Sequence, residues 1–278
     1  MSANDPKSSS SDNTTRKQRR AAERAARKSG SGASASGTSR SGDNSGGRSG
    51  PSMFVVSIGA VVIGLVAVAA LVLLSGGLGD NEAVAVSQPG VPPPAEELRQ
   101  GRTLVQPDTT PPVSIEVYED PQCPACGQFT ERIEPLIIAE HVDKGTASFT
   151  YNDYAFLGDE SWEASIAMRV AEDMDGKFWD YHQLVYHNQG SENDGGFSRE
   201  RLADMAEVIG LDRAEFLELM DDPSYRDDVA ADNATGAELT INSTPSLVIN
   251  GEIIRGVPEW GDLDAMIRDA AEAAGAES

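Results

Sequence analysis

The most informative segment of this 278-residue chain is Glu119-Asp120-Pro121-Gln122-Cys123-Pro124-Ala125-Cys126, which contains its only two cysteines. Residues 113–118 before it alternate and are rich in β-formers, and the residues after it carry apolar side chains at helical spacing. The cysteines therefore lie where a strand is predicted to lead into a helix. Because the chain has no third cysteine, an internal disulfide can join only Cys123 to Cys126, which is typical of a pair that exchanges its disulfide with other proteins.

The position of Cys123 at the start of a predicted helix favours its reactive form. Thiol–disulfide exchange needs the thiolate, and the free N–H groups and the dipole of a helix N-terminus stabilise an anion. Pro124 suits the first helical turn, where its missing N–H costs nothing. We predict that Cys123 is the exposed attacking thiol and Cys126 the buried partner that closes the disulfide, with Pro124 and Ala125 as supporting residues.

Two other interpretations of the cysteine pair are weaker. Zinc sites use the same spacing, but a structural zinc ion needs two more ligands. His182 and His187 lie on different faces of a predicted helix and do not complete such a site, so we expect no metal. A purely structural disulfide over this short spacing would close a very small loop and add little stabilisation through chain entropy.

The globular part is predicted to begin near residue 112 and to follow the order β–α–β, a block of helices, then β–β–α. Strands are predicted over residues 113–118, 147–156, 246–250 and 252–255, the last two joined by the hairpin turn Asn250-Gly251. Helices are predicted over residues 126–141, 162–174, 177–188, 198–209, 213–220, 225–239 and 262–273. Pro135 predicts a kink or break in the first helix.

A second motif, Ser243-Thr244-Pro245-Ser246, comes directly before the late strand. With the cysteine segment, it makes residues 112–275 resemble the thioredoxin superfamily, and specifically the DsbA-like thiol–disulfide oxidoreductases. The resemblance implies an α/β thioredoxin-like fold over residues 112–278, with a helical insertion at about 158–240. It also implies a cis Thr244–Pro245 bond, which would leave the Thr244 main chain free to pair with a substrate strand.

Two departures from this family affect the chemistry that the resemblance implies. Many relatives have a buried acidic residue six positions before the first cysteine, where this chain has Val117. Glu116 and Glu119 are nearby, and the sequence does not decide between them. Strongly oxidising relatives have a histidine between the cysteines, and its absence here leads us to expect a less oxidising pair. The three histidines are interpreted as surface or capping residues.

Residues 1–111 do not have the pattern of a globular domain. Residues 1–52 are rich in serine, glycine and arginine, with ten basic and four acidic residues, and we predict a disordered cytoplasmic tail. Residues 53–74 form an uncharged apolar run that would give a helix of about 33 Å, enough to cross a bilayer. A cleaved signal peptide ending at Ala83-Val84-Ala85 is the alternative, but the leader is too long. Residues 75–111, with several prolines and glycines, are predicted to be a linker.

The charge distribution predicts an extracytoplasmic domain. The basic residues precede the apolar run, which keeps the N-terminus in the cytoplasm. Residues 75–278 carry twelve basic and forty-one acidic residues, a balance that argues against nucleic-acid binding. We therefore predict a single-pass membrane protein of the cell envelope.

The predicted function is thiol–disulfide exchange with cysteine-containing proteins outside the cytoplasm. The preferred direction is oxidation of secreted proteins. No cofactor is expected, because the two sulfurs carry the electrons. The resemblance implies a membrane redox partner, either a quinone-linked oxidase or an electron donor. The alternatives are a membrane-tethered reductase or isomerase, and a non-catalytic thioredoxin-like binding or chaperone module.

Overall fold

A computed structural model describes residues 85–276, which contain a six-stranded sheet and eight α-helices. The strands are β1 (Arg99–Gln100), β2 (Thr103–Leu104), β3 (Val113–Glu119), β4 (Ala147–Asp153), β5 (Ser246–Ile249) and β6 (Glu252–Arg255). The helices are α1 (Pro124–Arg132), α2 (Glu134–Ile137), α3 (Asp159–Asp175), α4 (Phe178–His187), α5 (Arg199–Val208), α6 (Arg213–Met220), α7 (Pro223–Glu238) and α8 (Trp260–Ala276).

The strand order β1-β2-β4-β3-β5-β6 places β3 and β4 at the centre of the sheet. These two strands run parallel, with α1 and α2 in the connection between them, whereas β3 and β5 run antiparallel. Val113, Ile115 and Val117 on β3 are fully buried, as expected for a strand with neighbours on both edges. The active segment therefore leaves the sheet from a central strand, held by hydrogen bonds on both sides.

Helices α3 to α7 form the insertion between β4 and β5, as the resemblance implied. The insertion packs directly onto the sheet, because the rings of Phe178 and Trp179 on α4 contact those of Tyr151 and Phe149 on β4. These aromatic residues of α4 therefore join the insertion to the sheet. This contact matters for the site, since α4 lies beside α1.

The linker predicted for residues 75–111 is wrong over part of its length. β1 and β2 form an antiparallel hairpin, and β2 pairs with β4. Leu98 and Leu104 are buried, and the indole N–H of Trp179 donates to the carbonyl oxygen of Gly101 at 3.0 Å. Because these strands are only two residues long, they carry too little periodicity to be recognised from sequence.

The helix predicted over residues 126–141 is interrupted, as Pro135 indicated. α1 ends at Arg132, α2 starts at Glu134, and a π-helical turn at Ile138–Val142 completes the segment. The break falls at Ile133, which places Pro135 in the first turn of α2, where the N–H that proline lacks is not required. Glu134, the first residue of α2, is fully buried.

The predicted tail at 1–52 and the predicted membrane helix at 53–74 lie outside the described residues. Within residues 85–276, no helix combines the length and apolarity needed to cross a bilayer.

Candidate active site

The two cysteines lie at the N-terminus of α1, directly after the loop that leaves β3. Cys123 has extended backbone angles and precedes Pro124, the first helical residue. The N–H groups of Cys126 and Gly127 donate to the Cys123 carbonyl at 3.0 and 3.2 Å, which closes the first turn. Cys126 is fully buried, Cys123 is 9% exposed, and both are free thiols. Of the pair, only Cys123 has a surface that another molecule can reach.

The surroundings of Cys123 favour its thiolate. The pKa of Cys123 falls to about 6, chiefly because the Cys126 thiol donates a hydrogen bond to it, with further hydrogen bonds from the Thr244 side chain and the amides of Cys126 and Ala125. Burial opposes this shift but does not cancel it. A pKa near 6 makes Cys123 predominantly a thiolate at neutral pH.

Cys126 has the opposite electrostatic setting. Burial raises its pKa well above the ordinary thiol value, and the neighbouring Cys123 and Glu119 add to the rise. The pair is thus divided into one thiol that ionises readily and one that keeps its proton. The prediction that Cys123 is exposed is wrong, because only 9% of it reaches the surface, whereas Cys126 is buried as predicted. The roles of Cys123 as the attacking thiol and Cys126 as its partner stay predictions.

The Thr244–Pro245 segment faces the cysteines from the start of β5. Its peptide bond is cis, as the resemblance implied. The Cys123 thiol donates to the Thr244 carbonyl oxygen at 3.4 Å, although the two residues are 121 positions apart. Pro245 is buried and Thr244 is half-buried. The structure therefore brings the two sequence motifs together, with Pro124 exposed and Ala125 half-buried at the same surface.

Comparisons with known proteins agree with this geometry. A family model described as Thioredoxin matches residues 100–269, more than half of the chain. The chain belongs to this thioredoxin family. Disulfide bond formation protein D of Bacillus subtilis (strain 168) is 26% identical over 159 residues, covering 56% of this chain and 71% of that protein.

Solved structures show the same fold. Oxidised BdbD from Bacillus subtilis has a TM-score of 0.57 at 22% identity, and the match covers 67% of this chain and 100% of that chain. Chlamydia trachomatis DsbA has a TM-score of 0.56 at 21% identity, covering 67% and 98%. This thioredoxin-family protein is a DsbA-like thiol–disulfide oxidoreductase.

Asp120 holds the loop before Cys123 and was not singled out from the sequence. Its carboxylate accepts hydrogen bonds from the backbone N–H groups of Gln122, Phe156 and Leu157 at 2.8, 2.8 and 3.0 Å, and from the Ser161 hydroxyl at 2.6 Å. Asp120 is fully buried. It therefore ties the cysteine loop to the segment after β4 and to the start of α3.

Gln189, just after α4, is a second contact that the sequence did not indicate. Its side-chain amide donates to the carbonyl oxygens of Pro121 and Cys123 at 2.8 and 3.0 Å. A Cβ at Gly127 would lie 2.3 Å from the Gln189 amide oxygen, so this approach requires glycine there. The helical insertion thus positions the thioredoxin-family cysteine turn directly.

Glu119 is the acidic residue beside the cysteines, four positions before Cys123 rather than six. Glu119 is fully buried, and burial raises its pKa well above the ordinary value. Repulsion from the nearby charges of Glu134 and Cys123 raises the pKa further, and a hydrogen bond with Cys126 offsets part of the rise. Strand alternation could have found it, because Glu119 shares a face of β3 with Val117, whereas Glu116 points to the opposite face. A carboxyl group in this position can exchange a proton with the Cys126 thiol.

The prediction that the histidines are surface or capping residues is wrong for two of them. His182 is fully buried and its ring contacts Tyr151 and Tyr186, while His141 is 2% exposed and lies 3.0 Å from Asp264. Only His187 is half-buried, 3.4 Å from Glu131. The helical periodicity places residue 182 on the inner face of α4, where aromatic rings surround the imidazole.

Proposed function

We propose that this thioredoxin-family protein donates disulfides to secreted proteins through the Cys123–Cys126 pair. The observation that carries this proposal is that the pKa of Cys123 is lowered while the pKa of Cys126, one helical turn away, is raised. A low pKa at Cys123 stabilises the reduced pair as a thiolate. Stabilising the reduced form makes the corresponding disulfide a stronger oxidant. The name of the Bacillus subtilis relative, disulfide bond formation protein D, supports the same direction.

The proposed reaction has two exchange steps. A substrate thiolate attacks the Cys123 sulfur, the Cys123–Cys126 bond breaks, and Cys126 leaves as a thiolate that takes up a proton. A second substrate thiolate then attacks the substrate sulfur of the mixed disulfide, and Cys123 leaves as a thiolate. The substrate loses two electrons and gains a disulfide, while the cysteine pair is reduced to the dithiol. The two sulfurs carry these electrons without a further cofactor.

Substrate binding is proposed at the surface that Cys123 shares with the cis-proline segment. The half-buried Thr244 places its main chain next to the reactive sulfur. An extended substrate segment can pair with this main chain, as edge strands pair with added peptides. Pro124 and Ala125 form the rest of this surface, and their small apolar side chains can contact many different substrate sequences.

The reduced pair must be reoxidised after each turnover. We propose a membrane redox partner, a quinone-linked oxidase, that accepts two electrons and two protons from the Cys123–Cys126 dithiol. Residues 53–74 would form the membrane helix, residues 1–52 the cytoplasmic tail, and the catalytic domain would lie outside. Protease digestion of intact spheroplasts tests this topology: the catalytic domain should be cleaved while an epitope at residue 2 stays protected.

The reduction potential of the full-length protein tests the direction of exchange. The protein, in detergent, is equilibrated with glutathione buffers, and the fraction of free Cys123 and Cys126 is measured by alkylation and mass. A potential near or above about −180 mV supports a disulfide donor. A potential near about −270 mV would identify a reductant and overturn the proposed direction.

Two serine variants separate catalysis from binding. Oxidised wild type is mixed with a reduced, unfolded substrate that has two cysteines, and disulfide formation is followed by mass. Cys123→Ser should abolish the reaction, whereas Cys126→Ser, reacted with a substrate disulfide, should accumulate a mixed disulfide at Cys123. Failure of the oxidised wild type to transfer its disulfide, the same result as for Cys123→Ser, would instead support the non-catalytic binding module.

A further inference from the structure

Three buried side chains from separate elements meet beneath the cysteine pair. Glu119 ends β3, Glu134 begins α2, and His182 lies on α4. All three are fully buried. The His182 Nε2 atom lies 3.8 Å from a carboxylate oxygen of each glutamate, and the three donor atoms lie within 4.8 Å of one another. The cluster therefore converges on one point inside the protein.

Most of the polar atoms of this cluster have no hydrogen-bond partner in the described part of the chain. The Oε2 atom of Glu134 and both ring nitrogens of His182 are in this condition, and the Glu119 carboxyl group has only the Cys126 thiol as a hydrogen-bonding neighbour. The other Glu134 oxygen accepts from the Gln183 amide at 3.1 Å. Buried polar groups in native proteins almost always have partners, and each one without a partner costs about 1–3 kcal/mol.

Among the described residues, the two glutamates of the cluster also lack a basic partner, and burial raises the pKa of both, that of Glu134 to about 8. Within residues 85–276, no lysine or arginine forms an ion pair with Glu119 or Glu134. By contrast, the buried Asp153 is paired with Arg169 at 2.6 Å. The protein thus supplies a cation for one buried carboxylate but offers Glu119 and Glu134 only an imidazole.

The geometry fits a metal ion of ordinary size. Bonds from zinc to histidine nitrogen or carboxylate oxygen are about 2.0–2.2 Å long, so two donors of a tetrahedral site are about 3.3–3.6 Å apart. The two separations of 3.8 Å and the third, which is within 4.8 Å, are somewhat longer, so the side chains would close on the ion by small movements. Two carboxylates and one imidazole form a donor set typical of divalent transition metals, with a free position for water.

We propose that Glu119, Glu134 and His182 form a binding site for a divalent first-row transition cation such as Zn²⁺. The ion takes one donor from each of the three elements and displaces the protons of the two buried carboxyl groups, which pass to the solvent. None of the three ligands is a cysteine, but Glu119 lies next to Cys126. An ion and a proton compete for Glu119, so binding strengthens as the pH rises.

The test uses full-length, tag-free protein in detergent with Cys123 and Cys126 joined in a disulfide. Oxidation removes the thiolates, which would otherwise bind zinc themselves. The protein is dialysed against zinc chloride, and bound metal is measured by mass spectrometry. We expect about one zinc ion per chain, because the cluster holds the three protein ligands of a single open site.

Two ligand variants and one matched control locate the bound ion. Glu134→Gln and His182→Gln should each weaken zinc binding by about 10–100-fold or more, since even indirect disturbance of a metal site has effects of this size. His141→Gln changes a buried histidine outside the cluster and should retain wild-type zinc binding. Absence of zinc from the oxidised wild type would overturn the proposal, as would equal zinc binding by wild type and both ligand variants.

A cobalt spectrum keeps the proposal testable if a ligand variant fails to fold. Co²⁺ added to oxidised wild type should give visible ligand-field bands that zinc abolishes by competition, without a sulfur-to-cobalt charge-transfer band. A spectrum equal to that of Co²⁺ in buffer contradicts the site. A charge-transfer band in the oxidised protein would place the metal on sulfur and also contradict it.

Discussion

Replacing Cys126 by alanine should raise the pKa of Cys123. The Cys126 thiol is the largest cause of the low Cys123 pKa, because it donates a hydrogen bond to the Cys123 sulfur. Alanine removes this donor but leaves the Thr244 contact and the helix N-terminus in place. Cys126→Ser is the matched control, since its hydroxyl keeps a donor at the same position.

The expected size of the change follows from the strength of one charge-assisted hydrogen bond. Such a bond contributes about 1.5–3 kcal/mol, and a pKa change of one corresponds to about 1.4 kcal/mol. The Cys123 pKa should therefore rise from about 6 to roughly 7–8. At pH 6.5, the thiolate fraction would fall from about three quarters to between about one quarter and about 3%.

The assay is the rate of Cys123 alkylation by iodoacetamide between pH 4 and pH 10, followed by intact mass. Only the thiolate reacts, so the rate rises with pH and its midpoint gives the Cys123 pKa. In wild type, slow alkylation of the buried Cys126 is resolved by peptide mapping. If the midpoint is the same in Cys126→Ala and Cys126→Ser, the hydrogen bond from Cys126 is not what lowers the Cys123 pKa. A wild-type midpoint near about 8.5 would refute the proposed setting of Cys123 as a whole.

Three further predictions concern stability, each measured by urea unfolding of the reduced protein. Arg169→Met leaves the buried carboxylate of Asp153 without its closest cation. It should lower the free energy of unfolding by about 3–5 kcal/mol. A loss below about 1 kcal/mol would contradict a structural role for this ion pair. Asp120→Ala leaves several N–H donors of the cysteine loop and of the segment after β4 without an acceptor. It should lower the free energy of unfolding by at least about 1–3 kcal/mol. Unchanged stability would show that water replaces the carboxylate. The folded pKa of Cys123 lies below its unfolded value, so the stability that its thiolate contributes is full above about pH 8.5 and is lost as the pH falls to about 6. Wild type should therefore exceed Cys123→Ala in free energy of unfolding by more at pH 9 than at pH 5. The reverse order would refute the lowered pKa of Cys123.

Local patterns predicted much of the architecture. The strand before Cys123, the helix after it and the turn at Asn250-Gly251 depend on side-chain alternation, helical spacing and residues with special backbone preferences. These properties act over a few neighbouring residues, so they can be recognised without knowing what packs against them. The same reasoning failed for the hairpin of β1 and β2, whose strands are stabilised by Trp179 and β4 rather than by their own pattern.

The sequence alone determined the reactive pair, its place at a strand–helix junction and the Thr244-Pro245 motif that accompanies it. Only the tertiary structure decided which acidic residue lies beside Cys126, that His182 is enclosed with Glu119 and Glu134, and that Asp120 and Gln189 hold the cysteine turn. The physical reason is that a side chain's pKa and partners depend on burial and on groups that are distant in sequence. Cys123 and Thr244 show this most directly, since 121 positions separate two atoms that lie 3.4 Å apart.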